Sequence, residues 1–457
     1  MGAIVTNGLG SGLDINGLVT QLVQAEGAPR QTSLARKEST LQARLSAFGS
    51  FRAAAEKFRS AVARLKDTSS FQARKATSGD TTLFTASAAT TASEGSYAVE
   101  VVRLAQQHKL ASAPVAASTT VVGTGTLTLT VGTTSANLVI DSSNQTLAGI
   151  RDAINGMTNN PGVQATIITA TDGARLVLTA TSTGSANAIK VTQTGGNGGL
   201  AALAYDPANS ITALTQLQAA QSSRALINGY SVESATNTVS GALEGVTLTL
   251  AAASTPGETE TLTVELDKAG TRSAVTDFVA AYNQLSASLK GAGAYDATTK
   301  RGGPLLGDST LRDFSAAVRR ELGSVAGKDG DTFRRLAEVG VTVQLDGTMA
   351  VDSTKLDAAL ANDFDAVGKV FASDGGYARR LDGLLERYVG TTGLIETRTQ
   401  GLQSSLKDID AQRTALQARL TGVEARLRKQ YNALDGVLAQ MKQTSNYLSQ
   451  QLASLGR

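Results

Sequence analysis

Apolar residues recur at three- and four-residue steps towards both ends of the chain and alternate with polar residues in its middle, which divides the sequence into helical ends and a β-rich interior. Leu41, Leu45, Phe48, Ala55, Phe58, Val62 and Leu65 lie on one stripe and predict a long amphipathic helix from Leu34 to Leu65, with no proline inside it. Ahead of it, Asp14 is placed to cap a short helix carrying Leu18, Leu22 and Ala25, which Pro29 is expected to stop. Residues 1–33 therefore read as a flexible N-terminal arm and residues 34–75 as the N-terminal helix.

After Phe71 the residues turn to Thr, Ser, Val, Ala and Gly, with alternating runs such as Tyr97–Val101 and Leu127–Val131 that predict strands. Asn144 is the expected cap of a helix carrying Leu147, Ile150 and Ile154, and Asp172-Gly173 is the expected turn between Val163–Ala170 and Arg175–Ala180. We expect two nested β-rich domains, an outer one of residues 76–112 with 222–272 and an inserted one of residues 113–221. Residues 273–400 return to helix, interrupted by a hairpin near 339–351 in which Val339, Val341, Val343 and Leu345 lead into Asp346-Gly347.

The most regular pattern fills residues 401–457. Its seam runs Leu402, Leu406, Ile409, Arg413, Leu416, Leu420, Val423, Leu427, Tyr431, Leu434, Leu438, Met441, Ser445, Leu448, Leu452 and Leu455, with steps alternating between four and three. A double step of four at Val423, Leu427 and Tyr431 is a stutter that locally relaxes a left-handed supercoil. Arg413 and Ser445 are the polar entries, a device that fixes register or oligomer state at some cost in stability. The whole predicts an α+β multidomain protein: both chain ends form a long antiparallel coiled-coil leg, burying Phe48 and Phe58 against the C-terminal leucines, with the two β-rich domains inserted between them; the seam serves equally for packing between molecules, and the two uses are compatible.

Composition changes this picture mainly by exclusion. The 457 residues contain no Cys, no Trp and a single His, which removes disulfide scaffolds, thiol catalysis and poly-His metal sites. There is no basic leader with a long apolar run and no stretch of 18 apolar residues, so neither a cleaved signal nor a membrane span is expected. The formal charge of +3 conceals an asymmetry: residues 1–75 carry 11 basic against 5 acidic residues, 76–272 carry 8 against 13, and 396–457 carry 9 against 5. Basic ends could suggest nucleic acid, but no aromatic residues interleave with the cations as single-strand binders require. Arg36, Lys37, Arg44, Arg52, Lys57, Arg59 and Arg64 read instead as a solvated helix face.

Candidate chemistry is thin. Gly8-Leu9-Gly10-Ser11-Gly12 follows no strand, so it does not satisfy the context of a dinucleotide loop. Asp352 and Asn362-Asp363-Phe364-Asp365 sit where helix starts want capping acids rather than where a cation would be held. His108 reads as a surface imidazole, and Glu258 and Glu260 as solvated carboxylates beside a turn. No cofactor, no metal and no catalytic set is expected.

Several stretches taken in order resemble a known family: Ser11 to Val19 with Glu26 and Pro29; Tyr97–Val101 leading to Leu104-Ala105-Gln106-Gln107; Ile227-Asn228-Gly229; Gly245–Leu250; Phe278–Asn283; Gly303–Asp308; Val339-Gly340-Val341 with Asp346-Gly347; and Asn446-Tyr447-Leu448. Together they are similar to the flagellar filament capping, or hook-associated protein 2, family, and Thr146–Ala180 resembles a small β-rich module of flagellin and hook-associated proteins. The resemblance implies a non-enzymatic protein, exported unfolded by the flagellar type III channel, that forms a ring-shaped homo-oligomer, expected as a pentamer, at the filament tip. It implies flagellin, hook–filament junction proteins and an export chaperone as partners, with exported flagellin folding and inserting beneath the ring. A rival reading is a surface adhesin whose Thr-rich β head binds host mucin or glycan. On the first reading the seam and the stripe carrying Leu41, Leu45, Phe48 and Phe58 are assembly surfaces.

Overall fold

In the computed structural model, which describes residues 14–455 apart from Thr299, Asp14 accepts a hydrogen bond from the Gly17 N–H at 2.9 Å and starts α1 (Ile15–Ala63) as expected. The helix does not stop at Pro29. It runs unbroken for 49 residues, about 70 Å at 1.5 Å per residue, so residues 15–33 are helical and are not a loose arm. Proline in a helix interior costs about 3 kcal/mol or more, and the tertiary setting offsets it: Leu34 and Val19 are fully buried on either side. The glycine-rich stretch Gly8–Gly12 lies outside the described residues.

The later helices are α2 (Leu147–Asn155), α3 (Lys268–Gly293), α4 (Ser309–Gly323), α5 (Ser353–Asn362), α6 (Phe364–Ala372), α7 (Tyr377–Val389) and α8 (Leu394–Leu455). The chain forms two compact units, one from both chain ends up to Ser70 and from Lys268, the other from Phe71–Asp267. In the first unit the C-terminal half of α1 is enclosed by α3, α4 and α7 through aromatic contacts. Phe51 meets Phe314 at 4.9 Å between ring centroids, Phe314 meets Tyr388 at 4.9 Å, and Phe58 meets Phe278 at 5.3 Å and Tyr282 at 5.8 Å. Phe58 therefore packs against α3 rather than against the leucines of α8. The hairpin of Val341–Val343 with Met349–Val351 forms as predicted and is held on α3 by Asn283, which exchanges hydrogen bonds of 2.7 and 2.8 Å with Met349.

The basic face of α1 is only partly solvated. Arg52 reaches Glu396 at 2.5 Å, Arg59 reaches Asp382 at 3.1 Å and also Glu386, Lys66 reaches Asp382 at 2.9 Å, and Arg64 reaches Asp277 at 2.5 Å. Burial raises the Asp382 carboxyl, but the hydrogen bonds from Lys66 and Arg59 outweigh it and hold the group below the ordinary carboxylate range. Arg36, Lys37, Arg44 and Lys57 are exposed as expected. Apart from Glu56, which pairs Arg52 from one turn along α1 at 2.8 Å, the acids that pair the others lie more than 200 positions away in sequence, beyond the reach of local reading.

The second unit holds two separate cores. The outer one lies between a five-stranded sheet, ordered Arg74–Ser78, Glu260–Leu266, Gly95–Arg103, Ser223–Ile227 and Tyr230–Ser234, and a three-stranded sheet of Thr238–Leu243, Val246–Leu250 and Phe84–Ala88. Phe84, Val99, Val101, Leu248 and Leu262 fill it. The inner core is enclosed by a four-stranded sheet, a five-stranded sheet and α2, with Leu127, Leu129, Ile150, Ile154, Leu176 and Leu178 inside. The strand Gln107–Ala111 pairs with Gly173–Thr183 and Thr215–Gln218, so it belongs to the inner sheet and the expected boundary at 113 falls too late. The two passages of the chain between cores are tied by reciprocal Gln106 and Gln221 backbone hydrogen bonds of 2.8 and 3.1 Å. Two local details also differ: Thr146, not Asn144, caps α2 through Gly149 N–H at 3.1 Å, and the hairpin turn is Thr171-Asp172, with Gly173 already paired to Ala170.

His108 is not a surface imidazole. It is 2 % exposed in the inner core, where Nδ1 accepts from the Ile189 N–H at 2.9 Å and Nε2 lies 3.1 Å from Gln216 Oε1, which also accepts from the Tyr205 hydroxyl at 2.8 Å. That pattern places the proton on Nε2 and keeps the ring neutral. Burial pushes its pKa down, against a smaller opposing effect of the Gln216 bond.

A depressed folded-state pKa means that the unfolded chain gains a proton first as pH falls. The inner core should therefore lose stability below the unfolded value of about 6.5, down towards the folded pKa, and show no His108 effect above it. Thermal melts of the wild-type protein and His108→Gln across this range should diverge in pH dependence, the variant losing the step; parallel curves would contradict a buried neutral ring. In the helical unit, a Cβ on Gly27 would lie 2.7 Å from Leu420 Cδ1. Gly27→Val is expected to destabilise the α1/α8 pairing by about 1–3 kcal/mol, read as faster amide exchange in residues 15–33.

Candidate assembly surface on the paired terminal helices

The apolar stripe of α1 and the seam of α8 run antiparallel, and side-chain pairs mark their register. Arg52 with Glu396, Glu38 with Arg413 at 2.5 Å, Glu26 with Arg419 at 3.0 Å and Asn16 with Arg428 descend one helix as they ascend the other, and Arg30 reaches back along α8 to Gln412 at 3.1 Å. These groups are partly solvated, so each pair contributes about 0–1 kcal/mol and sets alignment more than stability. Arg413, the polar seam entry, pairs across the helices with Glu38. α8 begins at Leu394, seven residues before the predicted start at 401.

Burial along the predicted seam falls into two parts. Ile409, Leu420 and Val423 are buried, and Leu402, Leu406, Leu416 and Leu427 are partly covered, as are Leu41 and Leu45 on α1. Phe48 is buried as well. At Gly27 the helices approach closely, with Leu420 seated on its backbone. No pattern of apolar spacing marks such a glycine, so sequence reading passes over it. It also passes over Phe51, Phe314 and Tyr388, although Phe51 stands three residues after Phe48 and seven before Phe58 on the same face.

Beyond Tyr431 the seam is uncovered. Asn16 lies beside Arg428, so α8 from Leu434 onward runs past the described end of α1. Leu438 keeps partial cover, but Leu434 is 50 % exposed, Met441 64 %, Leu448 55 % and Leu452 69 %, and Val437 and Tyr447 are similarly open. Between residues 430 and 452 the only charged side chains are Asp435 and Lys442. A solvated helix normally presents a charged face, whereas this one presents an apolar stripe, the character of a surface that packs against another helix.

The residues weighed for chemistry serve structure. Asp352 accepts from the Lys355 N–H at 3.0 Å and caps α5, and Asp363 accepts from the Ala366 N–H at 2.9 Å and caps α6. Among the described residues no group of His, Asp and Glu could hold a metal ion, and no helix is long and apolar enough to cross a membrane.

Comparison with known proteins agrees with this architecture. Residues 11–108 match the flagellar hook-associated protein 2 N-terminus, residues 220–443 its C-terminus, and residues 126–182, inside the inner core, the flagellin hook IN motif. The B-type flagellar hook-associated protein 2 of Pseudomonas aeruginosa PAO1 is 36 % identical over 427 residues, covering 90 % of this chain and 89 % of its own. The flagellar hook-associated protein 2 of Escherichia coli K12 is 33 % identical over 426 residues, with the same coverages of 90 % and 89 %. The crystal structure of the D1-D2-D3 domains of the flagellar cap protein FliD from Escherichia coli aligns at a TM-score of 0.65 and 32 % identity, covering 78 % of this chain and 99 % of that one. With its helical ends, its nested β-rich insertion and these relatives over nearly its full length, the chain belongs to the flagellar hook-associated protein 2 family.

Proposed function

We propose that this protein, an exported flagellar protein of the filament tip, works there as a ring of copies that promotes folding and insertion of exported flagellin and prevents its loss to the medium. The observation that carries this reading is the uncovered seam of α8. An apolar helical stripe of Leu434, Met441, Leu448 and Leu452, exposed past the described end of α1, suits pairing with helical segments of arriving subunits. Covering each leucine would contribute about 1.5–3 kcal/mol before the cost of ordering, enough for several weak contacts and too little for an irreversible one. Modest, repeatable affinity suits a surface that must release and rebind as the filament lengthens. The seam residues Leu402–Leu427, with Leu41, Leu45, Phe48 and Phe58, then brace that surface.

Deleting the gene is expected to leave hooks without filaments and unassembled flagellin in the medium, both restored by the intact chain; normal filaments without it would defeat the proposal. Complementation with Leu434→Ser/Leu448→Ser separates assembly from folding. These exposed positions should change stability by no more than about 0.5 kcal/mol, while filament growth is lost. Excising residues 107–220 and joining Gln106 to Gln221 by a short Gly-Ser link should impair filament growth less than truncation before Leu434. Equal filament lengths from both variants would argue against the role given to α8.

A further inference from the structure

We propose that the α1/α8 pair contains a hinge at the level of Gly27–Pro29 on α1 and Gly422 on α8, about which the lower part of the pair bends. Four independent weaknesses meet at this cross-section. Pro29 has no N–H, so the Ala25 carbonyl loses its helical partner in the middle of α1. Gly27, two residues earlier, carries no side chain, and Leu420 rests directly on its backbone as a pivot. Gly422 lies two residues past that contact, about 3 Å along the axis, and a Cβ there would meet nothing within 4 Å. No close approach therefore requires the glycine, whose effect inside a helix is backbone freedom. The seam stutter at Val423, Leu427 and Tyr431 begins at the next position and loosens the regular interlock of the two helices.

Other glycines along the helices lack this combination. Gly49 and Gly401 also face open space, yet at that level Phe51 is locked against Phe314 and Arg52 against Glu396, so the surrounding helices brace the backbone. At Gly436, α8 is past the described end of α1, so among the described residues no partner helix bends with it. The lower part, Ile15–Glu26 with Val423–Tyr431, keeps Ile15, Val19 and Val423 buried and holds the Asn16–Arg428 hydrogen bond, so it moves as a body, and the pair that spans the hinge level, Glu26 with Arg419, is solvated and yields readily. On the function proposed above, such bending would let the open seam follow a shifting partner while the bundle above stays fixed. The hinge itself rests on helix geometry and is testable without filaments, so its failure and the failure of the capping reading are distinguishable.

Residue-resolved hydrogen exchange on the full chain tests it. Amides of residues 30–33 and 422–426 should exchange about tenfold faster than those on both sides, 19–25 and 35–45 on α1 and 405–415 and 427–430 on α8. A minimum flanked by protection distinguishes a hinge from fraying at a helix end. Pro29→Ala/Gly422→Ala, which replaces both with the strongest helix former, should remove the minimum and leave helix content by circular dichroism unchanged or higher. Protection that is uniform in the wild-type chain, or that falls steadily towards the lower end, overturns the proposal. So does a minimum that survives the double substitution.

Discussion

The helical unit depends on burial of one face of α1. A 49-residue helix with a proline in its interior would not persist by propensity alone, since helices in water draw most of their stability from packing an apolar face. Here the face is used twice. Its C-terminal half supplies Phe48, Phe51 and Phe58 to an aromatic core shared with α3, α4 and α7, and its N-terminal half supplies Ile15, Val19 and Leu34 to the pairing with α8. Because the helix is continuous, the first packing carries the second: the rigid core sets the direction in which a two-helix stalk leaves it.

The two halves differ in how firmly they are held. Around Phe51 and Phe58, several helices and the pairs made by Arg52, Arg59, Arg64 and Lys66 surround α1. Along the stalk only α8 faces it, and solvated pairs such as Glu26 with Arg419 set register while adding little energy. Past Tyr431 most of the apolar stripe is exposed. This gradient from enclosed core to open seam, with a soft level between, gives a structure able to stay folded at one end and exchange contacts at the other.

The β-rich unit solves a different problem. Two cores are nested in one insertion, closed at a neck where Gln106 and Gln221 pair, so the outer sheet is completed by strands from before and after the inner module. The single histidine is spent inside the inner core, accepting from Ile189 and held by Gln216, where a neutral ring satisfies buried polar groups. Asp352 and Asp363 likewise satisfy backbone groups, as caps of α5 and α6.

Much of this was legible in the sequence because periodicity is a local property. The seam of α8, the stripe of α1, the strand-rich middle, the Asp346-Gly347 hairpin and the capping acids all follow from spacing and turn chemistry within a few residues. The errors share one cause, which is that local patterns cannot report what the rest of the chain supplies. Pro29 reads as a stop until Leu34 and Leu420 hold the helix through it, Arg59 reads as solvated until Asp382 arrives from 323 positions away, and His108 reads as exposed until two sheets close around it. The boundary of the inner module moved for the same reason, since strand pairing and not composition decides which sheet Gln107–Ala111 joins. The sequence by itself thus determined which elements form and which faces are apolar. Tertiary structure alone decided which of those faces are covered, because burial depends on partners distant in the chain, and it left uncovered the stretch of α8 on which the proposed function rests.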